Sequence, residues 1–403
     1  PYGVDDLTAE FNGYVDFMRR KSSYANLKIF RFKGAHTDIL ADGKVEDLLG
    51  DPDITFNTRS EIDLTALAKT FPLQEGVSIG GQVGADFRLH CRLSSLRKQD
   101  WGRVRLKGKL DMQNLFLRDT KKNFEFTSHA ALRFTGEDNL AAQIHIQKAV
   151  LHASAISAEL EELKAAVKST NPQDTTRLID VECKLQMRRL KGEMGDSLKV
   201  FSKLAKASLH LQPGKRNPSM PRLKLALETD TLFCRIGNMK MGMDKGGFNL
   251  SAEKMRDSLW LPKGIVGFNR LTFRTPELAL PIRMRKTAVT VGDRCITLKN
   301  ASLRIGRSSL TASGAVHGLY AAMKKGEMLK ANLDISSRNL DCNQLINALN
   351  FPQDTLQAET DTVLSSEPLQ LFVIPSNIDF ELKTNLNKVT YGNMVFEHVR
   401  GAV

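Results

Sequence analysis

The chain has 403 residues, 41% hydrophobic and 26% charged, with a formal net charge of +13. That supplies apolar matter for a large buried surface and argues against wholesale disorder. The five cysteines, Cys91, Cys183, Cys234, Cys295 and Cys342, are too scattered for a disulfide framework or a zinc site. The basic residues are spread along the chain without the aromatic-laced stripe that nucleic acid needs.

Residues 1–26 read as a helical N-terminal segment. Asp5 and Asp6 suit a first turn, and Leu7, Phe11, Tyr14 and Met18 fall on one face at three- and four-residue spacing. Strand pattern begins at Leu27–Phe32 and opens a first β unit over 27–212, with Asp42-Gly43 as a hairpin turn. Thr65–Thr70 forms a short helix behind Asp63, whose carboxylate suits an N-cap. Val77–Leu93 alternates again, and Gly80, Gly81 and Gly84 mark bends or close backbone approach.

From Arg103 the alternation is plain, with Val104, Leu106 and Leu110 set against Arg105, Lys107 and Lys109. Turns are expected at 119–123 and 136–139. Within this unit 155–168 reads as an inserted helix, its apolar stripe being Ile156, Leu160, Leu163 and Val167. Strands return at 178–190 and 207–212, on either side of a loop or short helix near 195–206. The run 213–221, rich in Pro, Gly and Asn, is a linker or a long hairpin tip.

A second β unit fills 222–403. Leu223, Leu225 and Leu227 alternate with Lys224, Ala226 and Glu228; Ile296 and Leu298 alternate with Thr297 and Lys299. Leu303, Ile305, Phe380 and Leu382 continue the habit. Strict alternation gives one apolar and one wet face. The fold class expected is mainly β: an elongated, strongly curved, antiparallel-rich sheet that forms an apolar groove, with a few short helices. Roughly twenty to twenty-five strands are expected, and open sheets beyond about ten curl or split. A sheet with a single apolar face curls over that face.

Sequence signatures of catalysis are missing. No Walker loop, Gly-x-Ser-x-Gly elbow, dinucleotide fingerprint or His-Glu-x-x-His occurs, and the eight histidines are scattered. No catalytic, cofactor-binding or metal-ligating residue is therefore assigned, and the chain is read as a non-enzyme. No apolar run approaches the roughly eighteen residues of a membrane-spanning helix.

One unit recurs. Thr58–Pro72 and Ser336–Asn350 with Phe351-Pro352 share a strand end, an Asp-started helix (Asp63 and Asp341) and Phe-Pro. A recurring unit suggests a repeat-built body. Ile296–Val316, followed by Leu333–Leu349, resembles the AsmA-like family of bacterial envelope proteins. Ile54–Phe71 with Gly76–Leu89 matches the same pattern, and Val395–Val403 looks like the start of another copy. The resemblance covers about residues 50–90 and 290–403, and the stretch between departs from it.

The resemblance implies a β-groove body in the periplasm, anchored to the inner membrane through a segment outside this chain. It implies phospholipid as ligand, and the inner and outer membranes or their proteins as partners. Two other readings stand beside it. One is an assembly factor for outer-membrane proteins whose groove is filled by its own side chains; the other is a basic polyanion-binding protein.

Overall fold

The protein is seen in a computed structural model that describes residues 4–34, 36–71, 73–98, 100, 103–136, 140–170, 178, 180–254, 260–292, 295–318, 328–349 and 378–403. Of the described residues 79% are strand and 7% helix, so the fold is mainly β. Its twenty strands belong to one sheet that is not closed into a barrel. Contacts divide the chain into two units, Pro1–Cys234 with Asn249–Leu261, and Arg235–Phe248 with Pro262–Val403. The division cuts through strands rather than falling in 213–221.

That run is a hairpin tip: the Gly214 N–H donates to the Met220 carbonyl at 2.7 Å, and the Arg216 N–H donates to Glu253 at 2.8 Å.

The first unit holds β1 (Val4–Tyr14), β2 (Tyr24–Gly34), β3 (Thr37–Glu46), β4 (Asp53–Asp63), β5 (Val77–Arg92), β6 (Arg105–Asp119), β7 (Phe124–Gly136), β8 (Leu140–Ala153), β9 (Ile156–Thr170), β10 (Asp180–Met194) and β11 (Leu198–Pro213). Each pairs antiparallel with the next, a plain meander. Two short helices, α1 (Leu64–Thr70) and α2 (Leu93–Arg97), sit at the ends of β4 and β5. Strands β12 (Pro221–Ile236), β13 (Met239–Lys254) and β14 (Trp260–Thr275) carry the division between units.

The second unit continues with β15 (Leu278–Val291), β16 (Cys295–Ile305), β17 (Ser308–His317), β18 (Leu329–Asp341), α3 (Cys342–Ala348), β19 (Ile378–Tyr391) and β20 (Met394–Ala402). Strands β14 to β18 pair antiparallel in order, β18 and β19 run parallel, and β20 returns antiparallel on β19.

Several expectations are corrected. The helix expected within 1–26 is strand β1, followed by a single 3-10 turn at Arg20–Ser22. The helix expected over 155–168 is strand β9, and it is no insertion, because it pairs in unbroken register with β8 and β10. Asp42-Gly43 lies inside β3, opposite Asn57 and Phe56; the hairpin closes around His36, whose φ is +56°. Near 195–206 only Gly195–Ser197 turns, and β11 starts at Leu198. The expected turn at 136–139 lies largely outside the described residues, as do Pro72, Phe351 and Pro352.

The helix failures share one cause. In β9 the apolar side chains step by two along 156, 158 and 160, by three to Leu163, then by two again to 165 and 167. Between Leu160 and Leu163, Glu162 adopts φ +50°, a left-handed residue inside a strand. The resulting spacing of four, three and four imitates a helical stripe. In β1, Leu7, Ala9 and Phe11 share one face by simple alternation, so the pair 7 and 11 fits both periods.

These left-handed residues form a line across the first unit. Gly81 in β5 (φ +105°), Asn114 in β6 (φ +49°), Glu162 in β9 and Leu204 in β11 (φ +51°) lie on it. Register breaks at Gly80/Gln82, Met112/Leu115 and His129/Ala130 continue it through β5 to β8. Glu162 stands in line with Arg188 of β10 and then Leu204, between pairs that keep register. A bulge bends its strand and raises the local twist. A line of them in neighbouring strands creases the sheet.

Beside the crease Ala130 and Ala205 are 4% and 5% exposed, while Leu204, pointing the other way, is 52% exposed.

Both Asp-led helices are capped. Asp63 Oδ1 accepts from the Thr65 and Ala66 N–H groups at 2.9 and 3.0 Å, and Asp341 Oδ1 accepts from the Gln344 N–H at 2.9 Å. Thr65 Oγ1 in turn accepts from the Gly81 N–H at 3.1 Å, so α1 stands at the end of the crease. Helix α3 fastens two hairpins of its unit: Gln344 Oε1 accepts from Arg307 N–H, and the Asn343 amide exchanges two hydrogen bonds with Gly392. The two copies differ in topology, since β4 and β5 are antiparallel whereas β18 and β19 are parallel.

The backbone N–H of Ala66, first among several causes, holds the Asp63 carboxyl below its ordinary range. A depressed folded pKa gives stability that is full above the unfolded value, about 4, and is lost as pH falls through the folded value. Acidification is therefore expected to raise amide exchange in α1 before the neighbouring strands. Asp63→Ala is expected to produce the same loosening at neutral pH and to remove the acid dependence. Hydrogen exchange resolved to residues 64–70 measures both.

Candidate functional site

Register assigns every strand residue to a face, because residues directly opposed across an antiparallel pair share one. A single row can be followed through all eleven strands of the first unit. Leu7 opposes Phe32, then Ile39, Ser60, Ala85 and Leu110. The row continues through Leu132, Ile144, Ala165, Leu185 and Ala207. It holds no charged residue.

One step along each strand the row changes character. Thr8, Arg31, Leu40, Arg59, Asp86 and Lys109 are followed by Arg133, Gln143, Ala166, Lys184 and Ser208. The unit thus has one apolar and one charged face. The three-residue steps at the crease, such as Met112 to Leu115, Leu160 to Leu163 and Met187 to Leu190, keep the apolar face continuous across it.

Among the described residues of the first unit the apolar face buries few large side chains. Among the described residues only eight apolar side chains are buried, five of them alanine, and the fully buried side chains of greatest volume are Ser23 and Ser308. A filled interior would bury Leu, Ile and Phe. Here the large apolar side chains are mostly half-exposed, which leaves a trough for something else to occupy. Burial pushes the Cys91 thiol upward, with the Asp53 charge adding to it.

The nine groove residues chosen from sequence lie as follows. Leu223, Leu225 and Leu227 are in β12, with the parity opposite to Ala226 and Glu228, which line a cavity on the charged face. In the second unit Leu298 sits in a row that runs Val266, Val289, Leu298, Gly314, Leu333 and Leu382. Ile296 aligns with Val316, Ala331 and Phe380, Leu303 with Leu310, and Ile305 with Ser308. Ile296, Leu298, Leu303, Ile305, Phe380 and Leu382 therefore share one face of that unit.

Sequence reasoning missed the contribution of β1 and β9, because both had been assigned to helix. The one available signal was the Glu161-Glu162 pair inside an apolar run, which marks the three-residue step.

The carboxyls held low are turn and cap groups, Asp16, Asp51 and Asp63, and two β10 glutamates, Glu182 and Glu193, lowered first by hydrogen bonds from Lys184 and Lys191. The Ser94 hydroxyl and N–H lower Asp51, and the Arg19 and Met18 N–H groups lower Asp16. Neither faces the trough. Among the described residues no cluster of His, Cys, Asp and Glu could hold a metal ion, and no helix is long and apolar enough to cross a membrane. No protein-family model, no curated protein and no solved structure matches the chain. The description of its class thus rests on its own architecture: a mainly-β sheet protein whose first unit carries an apolar row through eleven strands.

Proposed function

We propose that the chain binds and conducts phospholipid, shielding acyl chains in the trough while headgroups stay at the wet rim. The observation that carries this reading is the uncharged eleven-strand row, on a face that buries few large side chains among the described residues. An acyl chain leaving water for such a surface gains about 0.8 kcal/mol per methylene. Its exchange with a bilayer is close to neutral, because both ends are oily. Such a surface lowers the barrier to extraction without trapping the lipid. It supplies neither direction nor energy, which fall to partners or to a concentration gradient.

The resemblance of Ile296–Val316 and Ile54–Phe71 to AsmA-like proteins supports a place in the periplasm, between the inner and outer membranes. The scarcity of buried large side chains speaks against a groove plugged by the chain itself. On this reading the protein has no catalytic residues, and its work is solvation.

Native mass spectrometry of the purified chain tests the proposal. Adducts with the mass of phospholipid are expected, and gentle activation should release them. A chain that carries none after isolation from membranes containing labelled phospholipid would leave the assembly-factor reading in its place.

A further inference from the structure

Some charges on the charged face of the first unit are paired. Arg118 meets Glu125 at 3.0 Å, Arg188 meets Glu161 at 3.1 Å, and Lys191 and Lys199 both meet Glu193. Others gather around one cavity. Its volume is about 730 Å³, with Arg133, Lys164, Lys184 and Lys206 around a floor that includes Ala131 and Ala166.

Register fixes how these cations stand. Lys164 opposes Gln186, which opposes Lys206, and Lys184 opposes Ala166 in the adjoining row. Three lysines therefore rise from three successive strands about 4.8 Å apart, with Lys184 offset two residues along its strand from the row of the other two. Arg133 begins the row that ends at Ser208. Lys184 has a carboxylate, Glu182 at 2.7 Å, and His145 lies 3.6 Å from Glu162. Glu228 is the one acid lining the cavity.

Among the described residues Arg133, Lys164 and Lys206 have no acidic partner, and the side chains of Gln143, Gln186 and Ser208 make no hydrogen bond. Crowding like charges on one sheet face costs stability. An anion in the cavity would offset that cost.

We propose that this cavity binds a small anion carrying two or more phosphate groups. Its volume lies in the range of small-molecule sites, roughly 300–1,000 Å³. Arg133 and Lys206 are four strand spacings apart, about 19 Å, so one phosphate cannot engage both ends. Arg133 offers a planar fork, the lysines offer point charges, and the free amides and hydroxyl complete the donor set. The small floor residues let phosphate oxygens approach closely. The phosphate can belong to a soluble oligophosphate or to a lipid headgroup. The site is on the face opposite the trough and does not depend on the function proposed for the trough.

Calorimetric titration of the whole chain with sodium tripolyphosphate, beside flotation with cardiolipin vesicles, whose headgroup carries two phosphates, tests the proposal. Saturable binding is expected, weakening with salt. Lys164→Gln with Lys206→Gln should lower affinity at least about tenfold, and Lys33→Gln, on the same face in β2, should change it less than about twofold. Tripolyphosphate binding lost in the pair variant identifies a soluble ligand; vesicle binding alone, lost in the same variant, identifies a headgroup.

Equal losses in the pair and in Lys33→Gln would reduce the effect to net charge and overturn the proposal, as would no binding to either probe. Hydrogen exchange on the unmodified chain removes dependence on variant folding. Ligand protection should centre on 164–166, 184–186 and 206–208, and protection spread evenly over the charged face would also overturn it.

Discussion

Leu225→Arg and Leu298→Arg, each made singly, are expected to cut the phospholipid carried by the chain at least tenfold, a change of about 1.4 kcal/mol or more, while leaving the sheet folded. Each places a guanidinium on an apolar face, one in β12 of the first unit and one in β16 of the second. The group cannot lose its proton. An acyl chain laid against it must strip its water, at several kcal/mol for an uncompensated buried ion. In the lipid-free chain the same arginine reaches water, because long cationic side chains extend their heads to solvent.

Thr55→Arg is the control, since Thr55 opposes Lys44 and His90 on the charged face. It should keep its lipid. Native mass spectrometry reads occupancy, and dequenching of a labelled lipid between vesicles reads transfer. Undiminished occupancy and transfer in both leucine variants would mean that these rows do not line the lipid path.

The alternation of β6, β16 and β19 was legible because those strands show their faces in short runs. Leu106 and Leu110 each sit between charged residues, and Leu298 lies two residues from Ile296. The residues chosen in β16 and β19 share one face of the second unit for the same reason. What could not be read was the crease. A left-handed residue inside a strand leaves no composition signal when it is Glu162 or Leu204 rather than glycine. It replaces a step of two by a step of three, and a stripe spaced four, three, four is helical to any periodic test.

The neighbours settle the matter in three dimensions. Strand β9 finds thirteen or more residues of ladder on each side, and sheet pairing of that extent outweighs local helix propensity. The Asp-led helices were legible because their cap is local chemistry. Their different surroundings, antiparallel after α1 and parallel around α3, depend on long-range pairing that no short motif encodes.

The crease itself is open to test through the backbone. Gly81→Ala is expected to cost about 2–3 kcal/mol, and Leu204→Gly to cost nothing or to gain up to about 1 kcal/mol. Gly81 has φ +105°, and a Cβ there would stand 2.5 Å from the Asn114 carbonyl oxygen and 2.7 Å from the Leu115 Cα. Both are backbone atoms of the paired strand and cannot turn aside. Leu204 already holds a left-handed conformation that disfavours a side chain, and its own side chain is mostly in water. Glycine relieves that strain and gives up little packing, offset in part by the greater freedom of the unfolded chain.

Gly84→Ala, three residues from Gly81 in the same strand, is the control. Nothing lies within 4 Å of its Cβ position, and a gain of about 0.5 kcal/mol is expected. Denaturant midpoints followed by far-ultraviolet circular dichroism rank the three. If Leu204→Gly lost as much as Gly81→Ala, side-chain packing rather than backbone conformation would hold the bend. The trough would then owe its form to the alanines and serines on its floor.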